Sequence, residues 1–234
     1  MSCVKKKTRG SLIIISGTTC AGKGTIIKKL IEKNPEMCLS ISYTSRPIRN
    51  GEVDGVDYYF VSQEEFEKKI ANGDFLEYAE VHYGRYYGTP KRETEELLAS
   101  GKDVILEIDV QGAEQVKKMF PETILIFIMA PSMEEVKKRI KARGAENNEQ
   151  IISRFRVAYQ EINEIPKYNY VVVNDVLEDA LLKVESILIS EKCRVDRIED
   201  IYVENQEEII HEFLMDKEFD NSIRTLDDIK KESD

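Results

Sequence analysis

The residues most suited to chemistry form a glycine-rich segment near the start of the chain: Gly17, Thr18, Thr19, Cys20, Ala21, Gly22, Lys23, Gly24 and Thr25. The segment lies between an apolar run typical of a buried strand and an amphipathic pattern typical of a helix, which is the setting of a phosphate-binding loop. Glycines let backbone N–H groups turn toward phosphate oxygens, and the start of a helix adds a partial positive charge. Lys23 would then contact the β- and γ-phosphates of a nucleoside triphosphate. The alternative is a glycine-rich turn without a ligand.

A second candidate anion site is the pair Arg46 and Arg49, in a loop bounded by proline and glycine. Guanidinium groups match the geometry of phosphate oxygens and do not lose their charge, so the pair can converge on one anion. Two solvated surface arginines are the alternative.

Two carboxylates, Glu107 and Asp109, come at the end of an apolar run typical of a buried strand. Alternation along a strand places them on one face, at the carboxyl end of a parallel strand, where α/β proteins bind ligands. There they can accept hydrogen bonds from a base or ribose, or hold hydrated Mg²⁺. The alternative is a strand that has simply emerged into solvent.

Four arginines flank the polar segment 144–150, which has the composition of a mobile lid: Arg139, Arg143, Arg154 and Arg156. The first two share a helix face because they are separated by one helical turn. A closing lid can carry such cations to a phosphoryl group during its transfer. Solvated surface arginines are the alternative, which we prefer for Arg156.

The elements that would position these residues alternate between strands and helices. Continuous apolar runs predict buried strands at Leu12–Ser16, Asp103–Ile108, Ile124–Met129 and Tyr170–Val173. Helical patterns are predicted at Lys23–Lys33, Thr89–Ser100, Gln111–Met119 and Ser132–Arg143, with Thr89 as the N-cap of the second helix and Ser132 opening a capping box. This order predicts an α/β protein with a parallel sheet flanked by helices.

The segment Ser40–Tyr87 interrupts this alternation. It contains the strand-like stretch Asp57–Val61 and then a capping box, Ser62 with Glu65, which opens a helix to about Asn72. We interpret the segment as a small inserted lobe.

Composition excludes several classes of protein. The chain has 234 residues, 41% of them hydrophobic, and a net charge of −10, which indicates one folded domain or one folded domain plus an appendage. No apolar run reaches the roughly 18–20 residues of a membrane span, and no signal peptide is expected. Cysteines without a C-x-x-C pair indicate the reducing cytoplasm, and an acidic chain is not expected to bind nucleic acid. The segment Ser190–Asp234 carries fifteen acidic and seven basic residues, and its apolar residues recur at helical spacing, which predicts an acidic, helical extension over 191–234.

Taken together, the motifs from about Gly10 to Ser190 resemble the guanylate kinase family. The most specific is Arg46-x-x-Arg49-x-Gly-Glu-x-Asp-Gly-x-Asp-Tyr58-x-Phe-Val-Ser, followed by Gly-Asp-Phe-Leu-Glu77-Tyr-Ala-Glu, Tyr-Tyr87-Gly-Thr89, Leu-Glu107-Ile-Asp109-x-Gln-Gly and Arg143-Gly. The resemblance implies a P-loop core at 10–39, 88–139 and 158–190, with a GMP-binding lobe at 40–87 and a mobile lid at 140–157.

The resemblance also implies transfer of the γ-phosphate of ATP to GMP, and to dGMP as well, with Mg²⁺ and without a covalent intermediate. It implies that the phosphoryl group in transfer is stabilised by Lys23, Arg139, Arg143 and Arg154. The phosphate loop would bind ATP, and Asn174 matches a position near the ATP adenine. The guanine would be read by Ser42, Glu77, Thr89 and Glu107, and the GMP phosphate held by Arg46, Arg49, Tyr58 and Tyr87. Asp109 would lie near the metal and the phosphates. Because Gly24 replaces the usual hydroxyl residue, no protein ligand of Mg²⁺ is named.

Two other functions stay open. A kinase for a different nucleoside monophosphate is one, although Glu77 with Ser42 and Thr89 suits guanine, which presents two donors to a carboxylate. A guanylate-kinase-like module that has lost catalysis and docks partner proteins is the other, although the chain keeps Gly22, Lys23 and the lid arginines. Within the loop, Cys20 is either a reactive thiol or a residue that is merely small enough to fit, and we favour the second interpretation.

Overall fold

The structure is a computed structural model, and it describes residues 5–6, 9–80, 84–142 and 148–200. Two compact units divide the chain: Thr8–Glu191 is one, and the terminal segments Met1–Lys7 and Lys192–Asp234 form the other. The predicted lid residue Arg143 and most of the predicted acidic helix lie outside the described residues.

The described strands are β1 (Lys5–Lys6), β2 (Leu12–Gly17), β3 (Met37–Leu39), β4 (Tyr43–Thr44), β5 (Tyr59–Phe60), β6 (Phe75–Glu80), β7 (Tyr86–Pro90), β8 (Asp103–Leu106), β9 (Ile124–Met129), β10 (Tyr170–Val173) and β11 (Ile198–Asp200). The described α-helices are α1 (Lys23–Lys33), α2 (Gln63–Asn72), α3 (Lys91–Ala99), α4 (Val110–Met119), α5 (Met133–Ala142), α6 (Asn148–Asn163) and α7 (Leu177–Glu191). Short 3₁₀ turns lie at Ile165–Lys167 and Val195–Arg197.

A five-stranded parallel sheet, in the order β10-β9-β2-β8-β3, forms the core of the larger unit. Its central strand β2 is buried throughout, and its side chains alternate between two apolar layers. Ile13 and Ile15 pack toward residues of α1 and α7, whereas Leu12 and Ile14 pack toward α3 and α4. Helices therefore cover both faces, and the predicted α/β class is confirmed because continuous apolar runs suit strands buried on both sides.

A second sheet, in the order β5-β4-β7-β6, is built from the segment that interrupts the alternation. Its strands β7 and β6 pair antiparallel, as do β7 and β4. Helix α2 packs on it through the buried ring of Phe66, which stacks on Phe75 and Tyr86. The capping box predicted at Ser62 is present, with both reciprocal hydrogen bonds to Glu65.

Several predicted boundaries were wrong, and the differences fall near the candidate site. Thr89 does not cap a helix: it lies in β7, Pro90 is the N-cap of α3, and the Thr89 hydroxyl instead donates to Glu77. Strand β8 ends at Leu106 rather than Ile108, because Asp109 already caps α4 by accepting from the Gly112 N–H. Strand β5 covers only Tyr59–Phe60 of the predicted Asp57–Val61. Strand β3 was not predicted.

In the smaller unit, β1 pairs antiparallel with β11, with Lys5 opposite Asp200. The residues Ile198–Asp200 therefore form a strand, whereas the spacing of their apolar neighbours predicted a helix. The two lysines Lys5 and Lys6, near the start of the chain, thus form a paired strand.

Candidate active site

The phosphate loop connects the end of β2 to the start of α1, and two of its glycines are required by the backbone geometry. A Cβ on Gly17 would lie 1.9 Å from the Ile128 carbonyl oxygen. Gly22, the N-cap of α1, has a φ of 87°, and a Cβ there would lie 2.5 Å from the Asn174 amide nitrogen. No side chain caps α1, so its first N–H groups point to the loop, where an anion can accept from them.

Lys23 is held inside this loop. Its Nζ donates to the Gly17 carbonyl oxygen at 2.7 Å and to the Thr18 carbonyl oxygen at 3.3 Å. An ammonium group has a third N–H, and rotation about the flexible stem lets it follow an anion. The structure thus places a cation at the start of α1, as the sequence predicted.

Two distant side chains contact the same loop from outside. Asn174 Nδ2 donates to the Ala21 carbonyl oxygen at 2.7 Å, and Glu161 Oε2 accepts from the Thr19 N–H at 3.1 Å. Asn174, which the resemblance placed near the ATP adenine, is buried against the loop. Cys20, between these contacts, packs against the apolar cluster of α5 and α6, which supports its interpretation as a residue that fits a small space.

A cleft of about 980 Å³ separates the loop from the inserted segment. Its lining includes loop residues Cys20 to Thr25 on one side and Arg46, Arg49 and Tyr58 on the other. Glu52, Glu107 and Arg139 also line it. The predicted arginines Arg46, Arg49 and Arg139 therefore face the same space as the phosphate loop.

Arg46 is the most tightly held of these cations. Its Nη1 and Nη2 donate to the two carboxylate oxygens of Glu52 at 2.6 and 2.7 Å, and its Nε donates to the Tyr87 hydroxyl at 3.0 Å. The guanidinium also lies 4.9 Å from the centroid of the Tyr58 ring. The bidentate ion pair lowers the pKa of Glu52 to about 2 and raises that of Arg46 above its ordinary value. Arg46 Nη1 also donates to the Pro47 carbonyl oxygen at 3.0 Å, so four of the five N–H groups of Arg46 are used and one is left for a phosphate.

A buried polar row crosses the second sheet. Glu77 is opposite Thr89 in the β6–β7 register, and Tyr43 is opposite Gly88 in the antiparallel β4–β7 pair, which places Ser42 next to Thr89. Glu77 Oε1 accepts from the Thr89 hydroxyl at 2.6 Å and from its N–H at 3.1 Å. Desolvation raises the pKa of Glu77 to about 7, against the opposing effect of the Thr89 hydrogen bonds. Gly112 leaves room for this carboxylate, since a Cβ there would lie 2.5 Å from Glu77 Oε2.

Two acidic side chains lie near the loop. Asp109 Oδ1 accepts from the Gly112 N–H at 2.8 Å, and the negative charge of Asp109 contributes to the raised pKa values of Glu77 and Glu161. Glu107 is exposed, and its carboxylate lies 3.7 Å from a Cβ built on Gly24. Among residues 9–80, 84–142 and 148–200, no cluster of three or more His, Cys, Asp or Glu side chains is arranged to hold a metal ion.

The arginines predicted on the lid divide into three cases. Arg139 lines the cleft, where its Nε donates to Glu135 at 2.9 Å and its Nη2 to the Asn174 carbonyl oxygen at 3.2 Å. Arg154 is partly buried on α6, and Arg143 lies outside the described residues.

Sequence reasoning missed the roles of Glu52 and Glu161. The role of Glu52 could have been predicted, because Glu52 belongs to the spaced sequence motif that starts at Arg46. The role of Glu161 could not, since 142 residues separate it from Thr19. Within the part of the chain that the structure describes, no helix has the length and apolar character needed to cross a membrane.

Comparisons with known proteins agree with this geometry. A family model described as guanylate kinase matches residues 9–191. A guanylate kinase from Clostridium perfringens (strain 13 / Type A) is 55% identical over 216 residues, covering 92% of this chain and 100% of that protein. One from Clostridium tetani is 56% identical over 208 residues, covering 89% of this chain and 99% of that protein. The crystal structure of guanylate kinase from Anaplasma phagocytophilum superposes with a TM-score of 0.70 at 32% identity, covering 88% of this chain and 96% of that one.

The family model spans most of the chain, and the two clostridial relatives match nearly along their full length. The fold, the phosphate loop and the order of the motifs lead to the same assignment. This chain belongs to the guanylate kinase family.

Proposed function

We propose that this protein phosphorylates GMP, and dGMP as well, with ATP as the phosphate donor. One observation carries the proposal: a single cleft has the phosphate loop with Lys23 on one side and the Arg46, Arg49 and Tyr58 group on the other. A donor triphosphate on the loop and an acceptor monophosphate on the arginines would face each other across it. In-line transfer needs that arrangement. The protein otherwise contributes by positioning the two substrates and by stabilising the negative charge of the phosphoryl group.

The base of the acceptor is bound by the buried pair Thr89 and Glu77 together with the half-buried Ser42. Guanine presents N1–H and N2–H₂ as donors to a carboxylate, and its O6 accepts from a hydroxyl group. Desolvation by burial raises the pKa of Glu77, and two donors from the base would stabilise its ionised form. Adenine lacks those donors and would leave the carboxylate unpaired, which disfavours it strongly. Glu107 is exposed and lines the cleft, which supports a role for it in binding the guanine or its ribose.

The reacting phosphates are stabilised by Lys23, Arg139, Arg143 and Arg154, and the acceptor phosphate is bound by Arg49, Tyr58, Tyr87 and the remaining N–H of Arg46. The donor set fits Mg²⁺ held chiefly by phosphate oxygens and water, because Asp109 offers a carboxylate beside the loop and Gly24 offers no hydroxyl. Bound there, Mg²⁺ neutralises phosphate charge. The acceptor oxygen is already largely ionised near neutral pH, so no strong general base is required.

The predicted division of the chain is part of the proposal. The second sheet with α2 forms the GMP-binding lobe over 40–87, the segment 140–157 forms the lid, and the acidic extension covers 191–234. Cys20 and Cys38 are free thiols, which supports a cytoplasmic location.

A coupled assay of ADP formation with ATP against GMP, dGMP, AMP, CMP and UMP tests the proposal. We expect turnover with GMP and dGMP and little with the others. Faster turnover of another monophosphate would contradict the assigned base specificity. If titration showed no ATP binding at all, the chain would be a binding module rather than an enzyme.

A further inference from the structure

The phosphate loop is held in shape by contacts that come from far along the chain. Glu161, on α6, accepts from the Thr19 N–H at 3.1 Å, and Asn174, just after β10, donates to the Ala21 carbonyl oxygen at 2.7 Å. These two contacts act on the residues immediately before and after Cys20. Cys20 has a φ of 61°, and it is the one non-glycine residue with a positive φ among those that the structure describes.

That backbone conformation explains why outside support is needed. An L-residue other than glycine is strained in the left-handed region, and it stays there only where the surroundings fix it. The two hydrogen bonds hold the Thr18–Thr19 and Ala21–Gly22 peptide groups, which lie one residue before and one residue after the peptide groups of Cys20. Gly22 permits one of them, since a Cβ at that position would lie 2.5 Å from the Asn174 amide nitrogen.

Both supporting side chains also connect the loop to elements that carry proposed lid arginines. Glu161 lies on α6, the helix that bears Arg154. Asn174 accepts through its backbone carbonyl from Arg139 Nη2 at 3.2 Å. The Cys20 side chain completes the link, because it packs against the cluster of Val136, Ile140 and Ala158, which belong to α5 and α6.

The negative charge of Glu161 also lies close to the phosphate loop and its lysine, Lys23. Burial raises its pKa, and the attraction of Lys23 and the Thr19 hydrogen bond oppose that rise. The carboxylate therefore lies close enough to the Lys23 ammonium to interact with it, while its hydrogen bond is made to the loop backbone. It does not line the cleft itself.

We propose that Glu161 and Asn174 are positioning residues, which hold the phosphate loop in the conformation that binds ATP and tie that conformation to the helices carrying Arg139 and Arg154. This rests on the proposed function. Asn174 would thus act on the loop backbone, whereas the resemblance implied a position near the ATP adenine.

Calorimetric titration of the full chain with ATP, without GMP, tests the proposal together with steady-state KM values for both substrates. Glu161→Ala removes the acceptor for Thr19, and we expect the Kd for ATP to rise about tenfold, as for loss of one charge-assisted hydrogen bond. The KM for GMP is expected to stay within about twofold, because the GMP side of the cleft is untouched. Asn174→Ala is expected to have the same selective effect on ATP.

Two variants separate positioning from general destabilisation. Glu161→Gln keeps an oxygen acceptor and is expected to recover most of the ATP affinity that Glu161→Ala loses. Gln160→Ala changes an exposed neighbour on the same helix and is expected to bind ATP like the parent chain. Wild-type ATP affinity in both Glu161→Ala and Asn174→Ala, or equal losses for ATP and GMP, would overturn the inference. Because the titration omits GMP, failure here is distinct from failure of the parent chain to form GDP, which would instead refute the proposed function.

Discussion

The buried carboxylate of Glu77 leads to the sharpest test of base recognition. Its pKa is raised to about 7 because it is desolvated in the second sheet, with the Thr89 hydrogen bonds as its main compensation. Only the ionised Glu77 carboxylate accepts from both N1–H and N2–H₂ of guanine. When Glu77 is protonated in the free protein, GMP binding must therefore release that proton. We therefore expect GMP affinity to fall as the pH is lowered through 7.

The size of the effect follows from the titration of one group. With a pKa near 7 in the free protein and full ionisation in the complex, the apparent Kd for GMP rises about tenfold between pH 8 and pH 6. Titrations in two buffers of different ionisation enthalpy should show a proton released on binding at pH 6. A Kd that is flat over this range, with no proton release, would refute the assignment of Glu77 as the guanine acceptor.

The same shift has a consequence for folding. A carboxyl group whose pKa is raised from 4.5 to about 7 in the folded state binds more protons there than in the unfolded chain. Its contribution to stability is therefore present below about pH 4.5 and is lost as the pH rises toward 7, by on the order of 3 kcal/mol. Glu77→Gln removes the ionisation, so we expect a higher Tm than the parent at pH 8, little difference at pH 5, and at least about a tenfold increase in the KM for GMP.

A control for these effects lies on the same strand. Glu80 is exposed on β6, so Glu80→Gln removes a charge without touching the buried row. We expect no change in the KM for GMP and no pH-dependent change in Tm. If both variants behaved alike, net charge rather than the buried site would explain the result.

Three further predictions concern the cations and the hydroxyl group of the site. Lys23→Ala is expected to lower kcat by at least about a hundredfold with an unchanged Tm, and near-parental kcat would exclude its role. Glu52→Gln breaks the ion pair with Arg46, so we expect the free energy of unfolding to fall by about 1–3 kcal/mol near neutral pH and the KM for GMP to rise. The loss of unfolding free energy should become smaller as the pH falls from 4.5 toward 2. The control Glu64→Gln, at an exposed surface ion pair, should change neither quantity. Thr89→Val removes the 2.6 Å hydrogen bond to Glu77, which should raise the Glu77 pKa further and move the pH dependence of GMP binding upward. An unmoved profile in that variant would count against the coupling.

The sequence predicted the parts of this protein that depend on local order. Strands β2, β9 and β10 and helix α1 agree with their predicted bounds to within one residue, because runs of apolar side chains and a glycine-rich turn before a helix are read directly from neighbouring residues. The phosphate loop and its lysine are of this kind.

Tertiary pairing decided what neighbouring residues do not encode. Thr89 has the sequence of a helix N-cap, yet strand pairing between β6 and β7 brings it to Glu77, and that buried hydrogen bond outweighs the cap. Asp109 reads as the end of a strand, yet it accepts from the backbone of α4.

The contacts of Glu161 and Asn174 with the phosphate loop join positions 142 and 153 residues apart. Such pairs cannot be predicted from neighbouring residues, because they form only when α6, β10 and the loop pack together in the folded chain. The sequence by itself therefore determined the fold class and the chemistry of the loop. The tertiary structure decided which side chains hold that loop in place and that the Glu77 carboxylate is buried against Thr89.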